Sequence, residues 1–217
     1  MSGNPLTDQR LSFASSEFVW DMDGQTESQR LLLSPVERQL TQHRCRKVLD
    51  MGCGNGAFSL LLARSGFEVD GCDASQSGIE IATQNHPEGR FWLQDLAAAL
   101  PSQHTGCYDA VVSTEVIEHL LLPRKLMTAA LQALKPGGLL VVSTPFHGYW
   151  KNLALALSGK FDAHWHPLRD FGHIKFFSRS TLTELFAEFG IASPHFETVG
   201  RIPAFSRSMI VSGKKPT

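Results

Sequence analysis

The sequence predicts an α/β fold, a seven-stranded and mostly parallel sheet with an antiparallel C-terminal edge and helices on both faces. Three observations predict it. Short β-rich runs alternate with helical patterns, the connection that parallel strands require. A glycine-rich turn, Gly52-Cys53-Gly54-Asn55-Gly56, joins the first strand to its helix. Acidic residues recur where strands end, at Asp73, Asp95 and Glu115.

The elements follow in order. Ser34-Pro35-Val36-Glu37 combines an N-cap, an N1 proline and an N3 acid, so a helix is expected from there to about His43. Lys47 to Met51 reads as the first strand, and Ala57 to Ser65 as an apolar helix closed by Gly66. Phe67 to Cys72, Phe91 to Gln94 and Ala110 to Ser113 are the next strands. Pro123 opens a helix whose Leu126, Met127, Ala130, Leu131 and Leu134 share a face until Lys135-Pro136-Gly137-Gly138 stops it. Leu139 to Ser143 is strand five. Leu182, Leu185, Phe186 and Phe189 mark a last helix before Gly190, and Phe196 to Arg201 with Ser208 to Ser212 make an antiparallel hairpin at the edge.

Between strand five and the last helix, Pro145 to Phe177 is an insertion. Trp150, Leu153, Ala154 and Leu157 recur there at helical spacing up to Gly159. Packing on the domain is the plainer expectation for this helix and a dedicated lipid contact is the other; between them stands a lid that covers the ligand pocket and meets an apolar ligand with its inner face.

A chain of 217 residues with 42% hydrophobic content builds one sizeable core, so residues 1–217 are read as a single domain with 1–17 loosely ordered. A net charge of −1 with no run of Lys or Arg argues against a dedicated nucleic-acid binder and favours a small or apolar partner. The start lacks a secretory layout and no apolar run approaches bilayer length, so the cytoplasm is expected, with peripheral membrane contact left open. Cys45, Cys53, Cys72 and Cys107 show no C-x-x-C pairing and read as reduced thiols.

In the glycine turn, missing Cβ atoms permit a tight bend and close approach of backbone N–H groups to a ligand. Asp73 ends the next strand, 21 residues beyond Gly52, where a carboxylate accepts hydrogen bonds from both ribose hydroxyls. Together they indicate an adenosine nucleoside. The plain alternative is a strand-to-helix turn, with Asp73 and Asp95 capping helices.

Asp50-x-Gly52-x-Gly54-x-Gly56 resembles motif I of class I methyltransferases. The resemblance implies a Rossmann-like fold and S-adenosylmethionine as cofactor. It sets Asp50 and the backbone of Gly52, Cys53 and Gly54 at the methionine end, Asp73 on the ribose and Asp95 on the adenine, with Ala74, Leu96 and Thr114 completing the cofactor-binding set. Trp20-Asp21-x-x-Gly24, Val48 to Gly54, Glu115-Val116-Ile117-Glu118-His119 and Leu134 to Gly138 look most like the O-methyltransferases of ubiquinone biosynthesis. Those enzymes act on a phenolic hydroxyl beside another oxygen, which implies a phenolic, catechol or quinol-type acceptor. Their Asn-Pro-Leu-Arg segment, a cofactor contact, meets Ser34-Pro35-Val36-Glu37 here and leaves Arg38 as a displaced candidate. The stretch Thr144 to Leu153 does not copy them closely.

A phenol must lose its proton to accept a methyl group, through a general base or a divalent metal. Glu115, Glu118 and His119 stand at i, i+3 and i+4, on one face of a helical turn, and His173 arrives from the insertion. This pattern also resembles the metal site of small-RNA 3′-terminal 2′-O-methyltransferases, with ligands suited to Mg²⁺, Mn²⁺ or Zn²⁺. Without metal, His119 is the leading base beside Glu118, and His147 is a second candidate. His164 and His166 read as loop residues or ligands, and Trp165 and Phe171 as core or as ring-stacking groups. An RNA ribose 2′-O-methyltransferase and a cofactor-binding regulator without catalysis remain as rival classes.

Overall fold

The computed structural model describes residues 20, 26–96, 98–165, 168, 171–200 and 202–217. The expected loose start, 1–17, and His166 lie outside them. The first helix, α1 (Glu27–Gln42), begins earlier than its proline suggests. Thr26 caps it, accepting the Gln29 amide at 3.2 Å while Gln29 Oε1 takes the Thr26 amide at 2.8 Å, a reciprocal box. Pro35 therefore sits inside the helix rather than at its start. Extending the helix upstream puts Leu32 on the buried stripe with Val36 and Leu40, and that burial outweighs the interior proline.

Strands β1 (Lys47–Met51), β2 (Glu68–Asp73), β3 (Arg90–Leu93), β4 (Tyr108–Thr114), β5 (Leu134–Pro145), β6 (His195–Val199) and β7 (Ser208–Lys214) form one sheet in the order β3-β2-β1-β4-β5-β7-β6. The first five run parallel, and β7 pairs antiparallel with both β5 and β6. The expected hairpin exists, but its second strand is internal and β6 is the edge. Met209, Ile210 and Val211 are buried on both faces of the sheet, whereas β6 is mostly half-buried, which decides which strand lies inside.

Helices α2 (Ala57–Arg64), α3 (Gln76–Asn85), α4 (Pro123–Ala133), α5 (Tyr149–Ser158), α6 (Phe161–Trp165) and α7 (Arg179–Glu188) complete the fold. Helix α3 was not legible as a pattern, and Ser75 caps it by accepting the Gly78 amide at 3.1 Å. One apolar layer joins Leu49, Val111 and Val142 to Leu126 and Met127 of α4 and Leu182 and Phe186 of α7. The other joins Val48, Val112 and Val141 to Leu32 and Val36 of α1 and Phe58 and Leu62 of α2. With both faces covered, the accessible rim of the parallel strands is their C-terminal end, at Met51, Asp73, Thr114 and Pro145. All four cysteines are free thiols, as expected.

Candidate active site

At the end of β1 the chain turns through Gly52, Gly54 and Gly56 at φ +82°, +52° and +73°, a left-handed region that a Cβ disfavours. The amides of Gly52 and Cys53 donate to the Cys72 carbonyl at 2.7 and 3.1 Å, so the turn is stitched to the end of β2. There Asp73 accepts the Gly54 amide on Oδ2 and the Ser75 amide on Oδ1, each at 2.8 Å. The acid and the glycine turn are thus one rigid unit, with Ala74 exposed beside them.

Asp50 lies beneath the turn, buried, accepting the Ser59 hydroxyl at 2.6 Å on Oδ2, while Oδ1 has no hydrogen-bond partner among the described residues. Burial raises its pKa to about 7, with Ser59 opposing and Asp73 adding to the shift. Burial likewise pushes the Cys53 thiol up, which leaves it an inert neutral group between two glycines. Asp95 is exposed just beyond β3, Leu96 packs partly against the core, and Thr114 is half-buried at the tip of β4. The guanidinium of Arg38, the displaced candidate on α1, pairs with Glu197 on β6.

Past β4 the backbone turns sharply at Glu115, which has φ +56°. Its carboxylate accepts the Ser143 hydroxyl at 2.8 Å and the Ser208 hydroxyl at 3.3 Å, bracing the ends of β4, β5 and β7. Burial raises its pKa against the opposing pull of those two hydroxyls. Residues Ile117–His119 then form a short 3-10 turn. Glu118 is 1% exposed, and neither carboxylate oxygen meets a donor in hydrogen-bond geometry among the described residues. Burial first, then the Glu115 charge, push its pKa well above the usual carboxylate range.

The Glu118 carbonyl accepts the amides of Ile174 and Lys175, both at 3.0 Å, which clips the end of the insertion onto this turn. His119 Nδ1 donates to the Phe171 carbonyl at 2.8 Å, with the Gly172 carbonyl at 3.2 Å, which puts the ring proton on Nδ1 and makes Nε2 the basic nitrogen. His173 stacks edge-on at 4.8 Å between ring centroids, its Nε2 4.0 Å from Glu118 Oε1. One ligand atom each from Glu118, His119 and His173 all fall within 4.8 Å of one another. Glu115 stands behind Glu118 on its serines, because its left-handed backbone takes it off the helical face that the i, i+3, i+4 spacing suggests.

His147, just past β5, lies in an aromatic cluster, 4.9 Å from Trp165 and 5.3 Å from Phe176, which are themselves 4.0 Å apart. Its Nδ1 is buried with no partner among the described residues. Burial, followed by the charges of Lys151, His164 and His173, lowers its pKa to about 4, so the ring is neutral at pH 7. Helix α5 ends at Gly159 as expected, yet it buries none of its residues, and Trp150 and Leu157 are 61% and 81% exposed. Of the apolar positions that the spacing picks out, Leu153 is half-buried while Trp150, Ala154 and Leu157 are exposed, so the plainer expectation of a face packed on the domain is met only in part. Lys151 anchors the helix instead, donating to the carbonyls of Phe146 at 3.0 Å and Ser206 at 3.4 Å. Sequence reading missed Lys151, Ser143 and Ser208, whose partners are backbone carbonyls or a distant acid and leave no motif.

Among the described residues no helix is long and apolar enough to cross a membrane. The methyltransferase-domain family profile matches residues 24–192. The chain is 28% identical over 177 residues to a ubiquinone biosynthesis O-methyltransferase of Shewanella sp. (strain ANA-3), covering 78% of this chain and 75% of that enzyme. Four further enzymes of that description align over 42–62% of their own length. In three dimensions it is similar to the magnesium protoporphyrin IX methyltransferase ChlM of Synechocystis PCC 6803 with bound SAH, at a TM-score of 0.66 and 20% identity over 89% of this chain and 90% of that one. It is also similar to the methyltransferase domain of a bacterial Hen1, at a TM-score of 0.64 and 24% identity over 86% and 98%. With the glycine turn, the strand-end acids and the seven-stranded sheet in place, the chain belongs to the methyltransferase-domain family and is a Rossmann-like, S-adenosylmethionine-dependent methyltransferase.

Proposed function

We propose that this enzyme methylates a hydroxyl of a small phenolic, catechol or quinol-type acceptor, and that Glu118, His119 and His173 hold a divalent cation beside that hydroxyl. The observation that carries the reading is the buried Glu118 carboxylate, which makes no full-geometry hydrogen bond among the described residues and has only its own amide and the Thr144 hydroxyl near enough to oppose burial, facing two imidazoles within 4.8 Å. A carboxylate in that position is costly unless a cation meets it. The His119 N–H to a backbone carbonyl is the arrangement that fixes a ligating imidazole. Bound there, Mg²⁺, Mn²⁺ or Zn²⁺ supplies Lewis acidity that lowers the pKa of the acceptor hydroxyl.

The residues around it do the rest. Glu115 keeps Glu118 in place by bracing the turn on Ser143 and Ser208. His147, neutral with a buried and unpartnered Nδ1, offers an acceptor for a second hydroxyl or for the leaving proton. Trp165 and Phe176 give an aromatic wall for a ring, and the exposed apolar side chains of α5 suit an apolar substituent or a membrane surface. On the cofactor side, Asp73 and Ala74 take the ribose, Asp95 and Leu96 the adenine, and Asp50, Gly52, Cys53, Gly54 and Thr114 surround the methionine end. A cytoplasmic location accords with the four free thiols.

A second reading, methylation of a ribose 2′-hydroxyl at an RNA end, is favoured by the same trio of ligands. The net charge of −1 weighs against it. Transfer of labelled methyl from S-adenosylmethionine to a catechol panel and to short RNA, in chelator and after adding each metal, separates them. Metal-dependent labelling of a catechol supports the proposal. Labelling of RNA alone, or full catechol activity in chelator, overturns it.

A further inference from the structure

Trp20 is fastened to the glycine turn from two directions. Its backbone N–H donates to Ser77 Oγ at 3.1 Å, and that hydroxyl is 3.1 Å from the hydroxyl of Ser75, the cap of α3. Its indole lies over two glycines from separate elements. A Cβ on Gly54 would stand 2.2 Å from Trp20 Cζ2, and one on Gly78 would stand 2.9 Å from Trp20 Cδ1. An indole is a rigid plate, so either side chain would evict it.

Gly78 is inside α3 and its φ is not positive, so backbone conformation does not call for glycine there. Room for the neighbouring turn and for the indole does, since its Cβ would also meet the Gly54 carbonyl at 2.9 Å. Gly54 in turn donates its amide to Asp73, which also accepts the Ser75 amide. Trp20 thus rests on the same short segments, 52–56 and 73–78, that form the nucleoside cradle. Trp20 itself is half-buried.

We infer that Trp20 is a cofactor-binding residue, its indole forming the apolar wall against which the adenosyl and sulfonium part of S-adenosylmethionine is held. A rigid aromatic contributes large contact area at low entropic cost, and its face attracts a cation. The inference concerns the cofactor alone and does not depend on which acceptor is methylated.

The test is calorimetric titration of the whole chain with S-adenosylhomocysteine and S-adenosylmethionine, in wild type, Trp20→Phe and Trp20→Ala. Trp20→Ala is expected to weaken both by about tenfold and Trp20→Phe by about threefold or less, on the scale of a buried aromatic contact. Emission of the wild type minus that of Trp20→Phe isolates this indole from the other tryptophans. It should change on adding S-adenosylhomocysteine with the Kd found by calorimetry. Unchanged affinity in Trp20→Ala, tighter binding in Trp20→Ala, or an emission difference indifferent to ligand would each overturn the inference. If Trp20→Ala fails to fold, the emission difference still decides.

Discussion

Two carboxylates, Asp50 and Glu118, are buried without full hydrogen bonding, a cost in stability that the proposed function explains by a role for each at its own end of the site. Glu118→Gln removes a charge that burial and Glu115 both disfavour. In chelator this variant should unfold at the same temperature as wild type or higher, while methyl transfer falls by about a hundredfold or more. Thermal unfolding beside single-turnover kinetics checks both halves, and a destabilised but active variant would refute the assignment. Asp50 gives a signed dependence on pH. Its folded pKa is raised to about 7 from an ordinary 3.8, so between these values the native state holds a proton that the unfolded chain has lost. Stability without cofactor should therefore fall as pH rises from about 4 to 7 and level off above, and Asp50→Asn should lack this component. Denaturant melts of both proteins across that range would show it, and parallel pH profiles would exclude it.

Helix α5 has no fully buried residue and is anchored through Lys151 to two backbone carbonyls. Its backbone should exchange hydrogen faster across 149–158 than β1, β4 or β5. Lys151→Met, which removes both bonds to carbonyls, should speed that exchange further and raise KM for the acceptor by about tenfold with cofactor affinity unchanged. Exchange as slow as in the sheet, or a matching loss of cofactor affinity, would show that α5 is part of the rigid body. The sequence carried the existence of α5 and its stop at Gly159, because spacing and a left-handed glycine are local signals. It did not carry the burial of that apolar face, which depends on what surrounds it. The start of α1 was misread for a related reason: Ser34-Pro35 is a good local start, but Thr26 supplies a better one that also buries Leu32. The place of β7 between β5 and β6 was decipherable from the unbroken apolar run Met209 to Val211, which suits an interior strand better than an edge.

At the scale of the whole molecule, the glycine turn and the strand-end acids were legible because glycine, acid and spacing all act locally there. The residues of the proposed acceptor half are brought together by contacts over long sequence distances. His173 meets Glu118 only because the Glu118 carbonyl accepts the amides of Ile174 and Lys175, and Glu115 leaves the group only because Ser143 and Ser208 claim it. Spacing joined Glu115, Glu118 and His119, and the resemblance added His173; the structure groups Glu118, His119 and His173 and sets Glu115 behind them. The central claim is that those three form a cation site serving methyl transfer, and titration of the chelator-stripped chain with Mn²⁺, followed by electron paramagnetic resonance, tests it most directly. The expected result is about one bound Mn²⁺ per chain, lost in Glu118→Gln and in His173→Ala while both variants still bind S-adenosylhomocysteine. No bound Mn²⁺ in the wild type, or binding undiminished in both variants, would contradict it.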